Sequence, residues 1–223
     1  FAARGGDLTV MLIRADGTPE SAPEADRRIL ADVRTGLATV GNSRVLLGVM
    51  MGAAIAMFGL GAVNVLLVPF IVEVLSVPET WFAAIEASQV IPMVLAAGLV
   101  AALAKKLKPT AIISWALGGV GIAVAAMSLA DAPWHLMACM FAIGWMMTPL
   151  QASASTLIQT EVSDEVRGRT GAALSTVITG ASVASMALAG ATTIAYGEHG
   201  IFVIAGVFVL VSSINTALLF PRL

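Results

Sequence analysis

The sequence predicts an all-α integral membrane protein with six spanning helices. Three observations carry that reading. Hydrophobic residues make up 58% of the 223 residues and charged residues only 12%, with a mean hydropathy of +0.93; a soluble domain needs more polar surface to cover its core. After Arg44 six apolar runs follow one another, at 45–75, 81–104, 110–129, 134–158, 170–196 and 201–220. Each meets or exceeds the roughly 20 residues that cross a hydrocarbon core of about 30 Å. The connections between the runs alternate in charge, as topology signals do.

Residues 1–44 form a polar lead-in, expected as a linker on the cytoplasmic side. The run 8–13 is apolar but too short to span, and Gly5, Gly6 and Asp7 precede it, which leaves the tail of an upstream helix and a short strand both open. The chain starts at Phe1 without a signal-peptide pattern, so it is expected to be a piece of a longer protein. Residues 16–23 read as a loop, and Ser21 with Glu24 has capping-box spacing, so a helix should follow. Ile29, Val33, Leu37 and Val40 recur at helical spacing, with Arg27, Arg28, Asp32 and Arg34 elsewhere on the wheel. That pattern fits an amphipathic helix on the membrane surface and a solvated linker helix alike.

Placement of charge sets the topology of the domain at 45–223. Lys105, Lys106 and Lys108 lie in the second connection, Arg167 and Arg169 in the fourth, and Arg44 and Arg222 flank the bundle. Glu73 and Glu79 flank the first connection, Asp131 lies in the third and Glu198 in the fifth, none of which holds Lys or Arg. All positive charge falls on one side, which the positive-inside rule makes cytoplasmic. The expectation is a multi-pass protein of the inner (plasma) membrane with both ends inside. Trp81, Trp134 and Tyr196 sit at helix ends on the other side, at headgroup level.

Within the spans, Gly48 with Gly52 forms GxxxG in the first, and Gly171, Gly180, Ala184 and Gly190 lighten the fifth, as helices do where backbones approach closely. Pro69, Pro92 and Pro149 interrupt three spans, and broken helices often line a substrate path. Glu86 falls about one and a half turns into the second span, with Gln89 nearly below it. A carboxylate there is costly unless it faces a cavity or the interface, which leaves proton coupling and a position near the outer surface both open. Asn64 and Gln151 are polar at depth and serve either a path or interhelix glue. Met137, Met140, Met146 and Met147, with Phe141 and Trp145, give the fourth span the adaptable side chains of an apolar pocket or of plain packing; Trp115 reads as packing.

Several function classes fall away. There is no GxxxxGK loop, and His135 and His199 lie on the external side without Cys or His partners at metal spacing, so neither an enzyme nor a metal site is expected. An intramembrane serine protease would need a His at membrane depth beside its Ser. In an importer permease, Glu-Ala-Ala opens a cytoplasmic helix, whereas Glu86, Ala87 and Ser88 lie inside a span. Cys139, the one cysteine, lies in an apolar run and forms no intrachain disulfide. No basic and aromatic surface points to nucleic acid.

The charged stretch between the fourth and fifth spans carries a family resemblance. Gln159, Thr160, Glu161, Val162, Ser163, Asp164, Glu165, Val166, Arg167, Gly168, Arg169 resembles the segment before the fifth helix of the C-terminal half in major facilitator superfamily exporters, especially the branch of macrolide-efflux and enterobactin-export proteins. There the pattern is Gln, two variable residues, Val-Pro, an acidic residue and Arg-Gly-Arg; Ser163 stands where proline is usual. The lead-in Leu30, Ala31, Asp32, Val33, Arg34, Thr35, Gly36, Leu37 resembles the segment joining the two halves. A departure is the connection after the second span, usually Gly-x-Leu-Ala-Asp-Arg, which reads Ala101, Ala102, Leu103, Ala104, Lys105, Lys106 and lacks the acidic gate residue.

The resemblance implies one half of a major facilitator fold, built as 3+3 inverted repeats and partnered by an N-terminal six-helix half. The implied function is secondary active transport, proton-coupled efflux of apolar or amphipathic small molecules by alternating access, with no cofactor and with membrane lipid around the bundle. Asn64, Glu86, Gln89, Trp145, Met146 and Gln151 are the substrate or coupling candidates. Lys105, Lys106, Glu165, Arg167 and Arg169 are the candidates for a cytoplasmic gate or for topology determinants, with Ser163 capping the next helix. The alternative is a non-transporting six-helix scaffold that binds a partner through 29–40.

Overall fold

The computed structural model describes residues 36–38, 40–41, 43–104 and 107–219. The amphipathic segment expected over 29–40 lies mostly outside the described residues, as do Lys105 and Lys106, and the Glu165 side chain is not among those described. Every element within them is helical: α1 (Arg44–Pro69), running on through a π-helical turn at Phe70–Val74, α2 (Trp81–Ala104), α3 (Pro109–Met127), α4 (Pro133–Glu161) and α5 (Asp164–Leu219). Six stretches are long and apolar enough to span: Val45–Val74, Trp81–Gly98, Pro109–Met127, Pro133–Glu161, Val166–Thr192 and Gly197–Leu218. These match the six-helix expectation.

Local chemistry explains where helices start and stop. Ser43 caps α1 by accepting the Leu46 N–H at 3.4 Å. Pro69 has no N–H to donate, and the ladder beyond it widens to i→i+5 bonds, the Leu75 N–H reaching the Phe70 carbonyl at 3.0 Å. Ser76, at φ 52, then turns the chain. α3 and α4 both open on proline, where the missing N–H costs nothing. The fifth and sixth spans have no loop between them: α5 breaks only at Gly197, whose φ of 63 and ψ of 170 favour a residue without Cβ.

The packing splits the bundle into two layers bridged by α3. α1 lies against both limbs of α5, α2 lies against α4, and α3 touches α4 and α5. Close approach is built on small residues and hydroxyls. The Ser212 hydroxyl donates to the Gly52 carbonyl at 2.6 Å, and Ser213 to Ser114 at 2.7 Å. Between α2 and α4, Thr148 donates to the Met93 carbonyl at 2.9 Å and Ser88 to the Met137 carbonyl at 3.2 Å. Gly144 presses so closely on α2 that a Cβ there would fall on the Gln89 carbonyl and lie 2.9 Å from the Pro92 ring. One expectation is corrected: Gly171, Gly180 and Gly190 meet nothing within 4 Å, so the fifth-span glycines form no packing seam within this bundle.

Most of the largest fully buried side chains gather at the end opposite the lysines, where Phe70, Phe202, Ile71, Ile85, Met127 and Leu136 form the core. Phe70 meets Phe202 edge-on at 5.0 Å and the His199 ring at 5.1 Å. His199 Nδ1 lies 2.5 Å from the Ser128 carbonyl oxygen, tying the Gly197 turn to the end of α3. A smaller cluster of Val40, Leu46 and Val162 sits at the basic end.

Candidate translocation face

Exposed polar side chains at spanning depth appear on three of the described helices. On α4, Gln151, Ser155 and Gln159 are exposed at i, i+4 and i+8, a single stripe. On the first limb of α5, Ser175, Thr176 and Thr179 are exposed, and on α1 Asn64 is exposed about 15 Å along the helix from Val74. Sequence reasoning named Asn64 and Gln151 but missed these Ser and Thr residues; their signal was polar spacing of three and four within apolar runs.

Three threonine hydroxyls on these helices turn back on their own backbone. Thr156 donates to the Ala152 carbonyl at 2.9 Å, Thr160 to the Thr156 carbonyl at 3.1 Å and Thr176 to the Ala172 carbonyl at 2.9 Å. Each hydroxyl therefore uses its proton locally and presents oxygen lone pairs outward. Asn64 donates once, to the Leu60 carbonyl at 3.2 Å, which leaves most of its amide capacity unused within the bundle. In hydrocarbon an unmet polar group costs several kcal/mol, so this face calls for water or protein in front of it. α2 and the first limb of α5 reinforce the point: only 17% of the spanning window of each is buried.

The other candidates separate. Glu86 and Gln89 are half-buried on α2, Glu86 about 8 Å along the helix from Trp81. Trp145 and Met146 line an apolar groove against α3 instead of joining the polar stripe; on α4, Met146 and Ser155 stand nine residues apart, about half a turn out of phase. Trp145 stacks on Phe141 with ring planes 15° apart. Of the six substrate candidates that groove takes in two, Trp145 and Met146.

At the basic end the two motif-bearing segments touch. The Arg167 guanidinium donates to the carbonyls of Gln159 at 3.1 Å and Val162 at 3.2 Å, capping the negative end of α4 with a cation. Ser163 takes the first N–H groups of α5 on its carbonyl, from Val166 at 3.2 Å and Arg167 at 3.1 Å. Gly36 lies against the start of α5, where a Cβ would fall on the Arg169 carbonyl and 2.8 Å from the Ala173 Cβ. Lys108 is exposed at the start of α3.

Among the described residues no group of three or more His, Cys, Asp or Glu could hold a metal. The family model for the Major Facilitator Superfamily matches residues 49–223. A comparison with curated proteins found no match.

Proposed function

Because the chain belongs to the major facilitator superfamily, and so is a transporter of that type, we propose that it supplies one wall of a secondary exporter of apolar or amphipathic small molecules. The observation that carries this is the polar stripe of α4, α5 and Asn64 at membrane depth. In the proposed assembly a second six-helix half faces that stripe across a water-filled path, and the two rock about a central site. The basic end, with Lys108, Arg167 and Arg169, lies in the cytoplasm of an inner-membrane protein. The family match favours this reading over a six-helix scaffold.

The stripe is tested by accessibility. Cys139 is the one thiol in these 223 residues, so Cys139→Ala, with any cysteine of the facing half also replaced, followed by single cysteines at Ser155, Thr176 and Thr179 gives clean probes. A water-soluble thiol reagent should label all three in intact membranes, and label cysteines at exposed, apolar Ile122 and Leu188 much more slowly. Equal rates at the two sets would remove the aqueous path.

Proton coupling is assigned to Glu86, the one acidic side chain inside the second span. In the complete transporter Glu86→Gln should abolish the pH dependence of dye efflux from vesicles while leaving dye binding within about twofold. Efflux that follows the pH gradient as before would take the coupling role away from Glu86.

A further inference from the structure

We infer that His199 is a proton-operated latch: as an imidazolium it holds the Gly197 junction against the end of α3, and as a neutral imidazole it lets that junction work loose. Three elements meet at this one ring. Its Nδ1 lies 2.5 Å from the Ser128 carbonyl oxygen, it meets the Phe70 ring edge-on at 5.1 Å in the π-helical turn that ends α1, and Gly197 stands two residues before it. Phe70 is fully buried and also meets Phe202, so the inner side of the ring has a fixed wall. His199 itself is exposed, within reach of protons from the water at this end of the bundle.

The junction gives such a latch something to hold. The two limbs of α5 join without a loop, and Gly197, at φ 63, is the residue between them with non-helical geometry. A Cβ there would meet nothing within 4 Å among the described residues, so packing at Gly197 does not fix the angle between the limbs. Across the junction α3 ends at Met127. The Ala125, Ala126 and Met127 carbonyls accept the N–H groups of Ser128, Leu129 and Ala130 at 3.2, 3.0 and 3.1 Å, and the Ser128 carbonyl takes His199. The ring therefore caps the negative end of a helix from a distant part of the chain.

Protonation changes that bond. A neutral imidazole carries hydrogen on one nitrogen, so one of its tautomers turns a lone pair toward the Ser128 oxygen, whereas the imidazolium always donates from Nδ1. The cation also brings a full charge to the carboxyl end of α3, where it is favoured, and a charge-assisted bond is roughly twice as strong as a neutral one. No lysine or arginine opposes it. The titratable groups of the surrounding elements are Glu73 beyond the Phe70 turn, Glu79 before α2, Asp131 before α4, His135 in its first turn and Glu198 in α5, and no Lys or Arg occurs in 70–81, 128–135 or 193–202. His135 is answered by Asp131, 2.5 Å from its Nδ1. Histidine changes charge between about pH 5 and 8, so the latch closes as the medium turns acid. It lies at the end away from the basic residues, and its action does not depend on what faces the polar stripe.

Hydrogen exchange read by mass spectrometry tests this on the complete transporter in detergent, at about pH 5.5 and about pH 8 with intrinsic rates corrected. Segments 125–130 and 197–203 should open about fivefold less often at the lower pH, while 140–150 in α4 should show no contrast. His199→Gln should open at the higher rate at both pH values, and His135→Gln should keep the contrast. A contrast that is absent from the unaltered protein, spread evenly over all three segments, retained by His199→Gln or lost with His135→Gln would overturn the inference. Where His199→Gln does not fold, the His135→Gln protein still decides: His199 is then the one histidine left in these 223 residues, and a contrast confined to the two segments supports the latch, whereas none there overturns it.

Discussion

Gly144→Val should pull α2 off α4. A Cβ at Gly144 falls on the Gln89 carbonyl oxygen and within 2.9 Å of the Pro92 ring, so the obstacle is backbone and a rigid ring, neither of which can swing aside. The two helices must separate, and with them go the Thr148 bond to Met93 and the Ser88 bond to Met137. Overpacking of this kind costs about 3 kcal/mol, which for a chain of this size lowers the melting temperature by roughly 6–12 °C. Gly180→Ala is the control, since nothing lies within 4 Å of that site; there the gain in helix propensity should leave the protein unchanged or more stable by up to about 1 kcal/mol. Thermal unfolding in detergent measures both. Similar shifts for the two variants would mean that α2 and α4 do not cross at Gly144.

The contrast between those two glycines shows what was legible in the sequence. The spans stood out because lipid leaves the backbone no partner but itself, so each crossing demands a long apolar run. Which face of a span meets protein is another matter: lipid is as apolar as leucine, and a stripe of small residues looks the same whether a helix or an acyl chain covers it. So Gly171, Gly180 and Gly190 read as a seam and face outward, while Gly144, amid the methionines of α4, makes the closest approach. The junction at Gly197 was hidden for a related reason, because Glu198 and His199 look like a loop until the His199 contact to Ser128 shows the chain turning on one residue.

The candidate site was legible in proportion to polarity. Asn64, Glu86 and Gln151 announce themselves because an amide or carboxylate at depth has a large desolvation cost. Thr176 and Thr179 do not, because a threonine can bond its own helix, as Thr176 does with Ala172, and so is cheap anywhere in a span. Trp145 and Met146 fit an apolar pocket and plain packing alike in the sequence; the third dimension puts them in an apolar groove against α3, away from the polar stripe.

Gly36→Val should silence the transporter while leaving its membrane topology untouched. Gly36 lies at the start of α5, where its absent Cβ makes room for the Arg169 carbonyl and the Ala173 Cβ, and Val40 joins Leu46 and Val162 in the small core at the basic end. Gly36 and Val40, the first turn of α1 and the elbow between α4 and α5 are thereby one packed unit, and a branched side chain at Gly36 drives it apart. Arg167→Ala attacks the same unit from the other side. It removes charge-assisted bonds to Gln159 and Val162, about 1.5–3 kcal/mol, and unties the end of α4. Arg169 meets Gly36 through its backbone, so Arg169→Ala should keep that contact. Scoring each variant for orientation by thiol labelling and for efflux separately distinguishes a mechanical elbow from a topology signal. A mechanical elbow requires that Gly36→Val and Arg167→Ala insert correctly and lose efflux; inverted insertion of either arginine variant would instead make the charges an address.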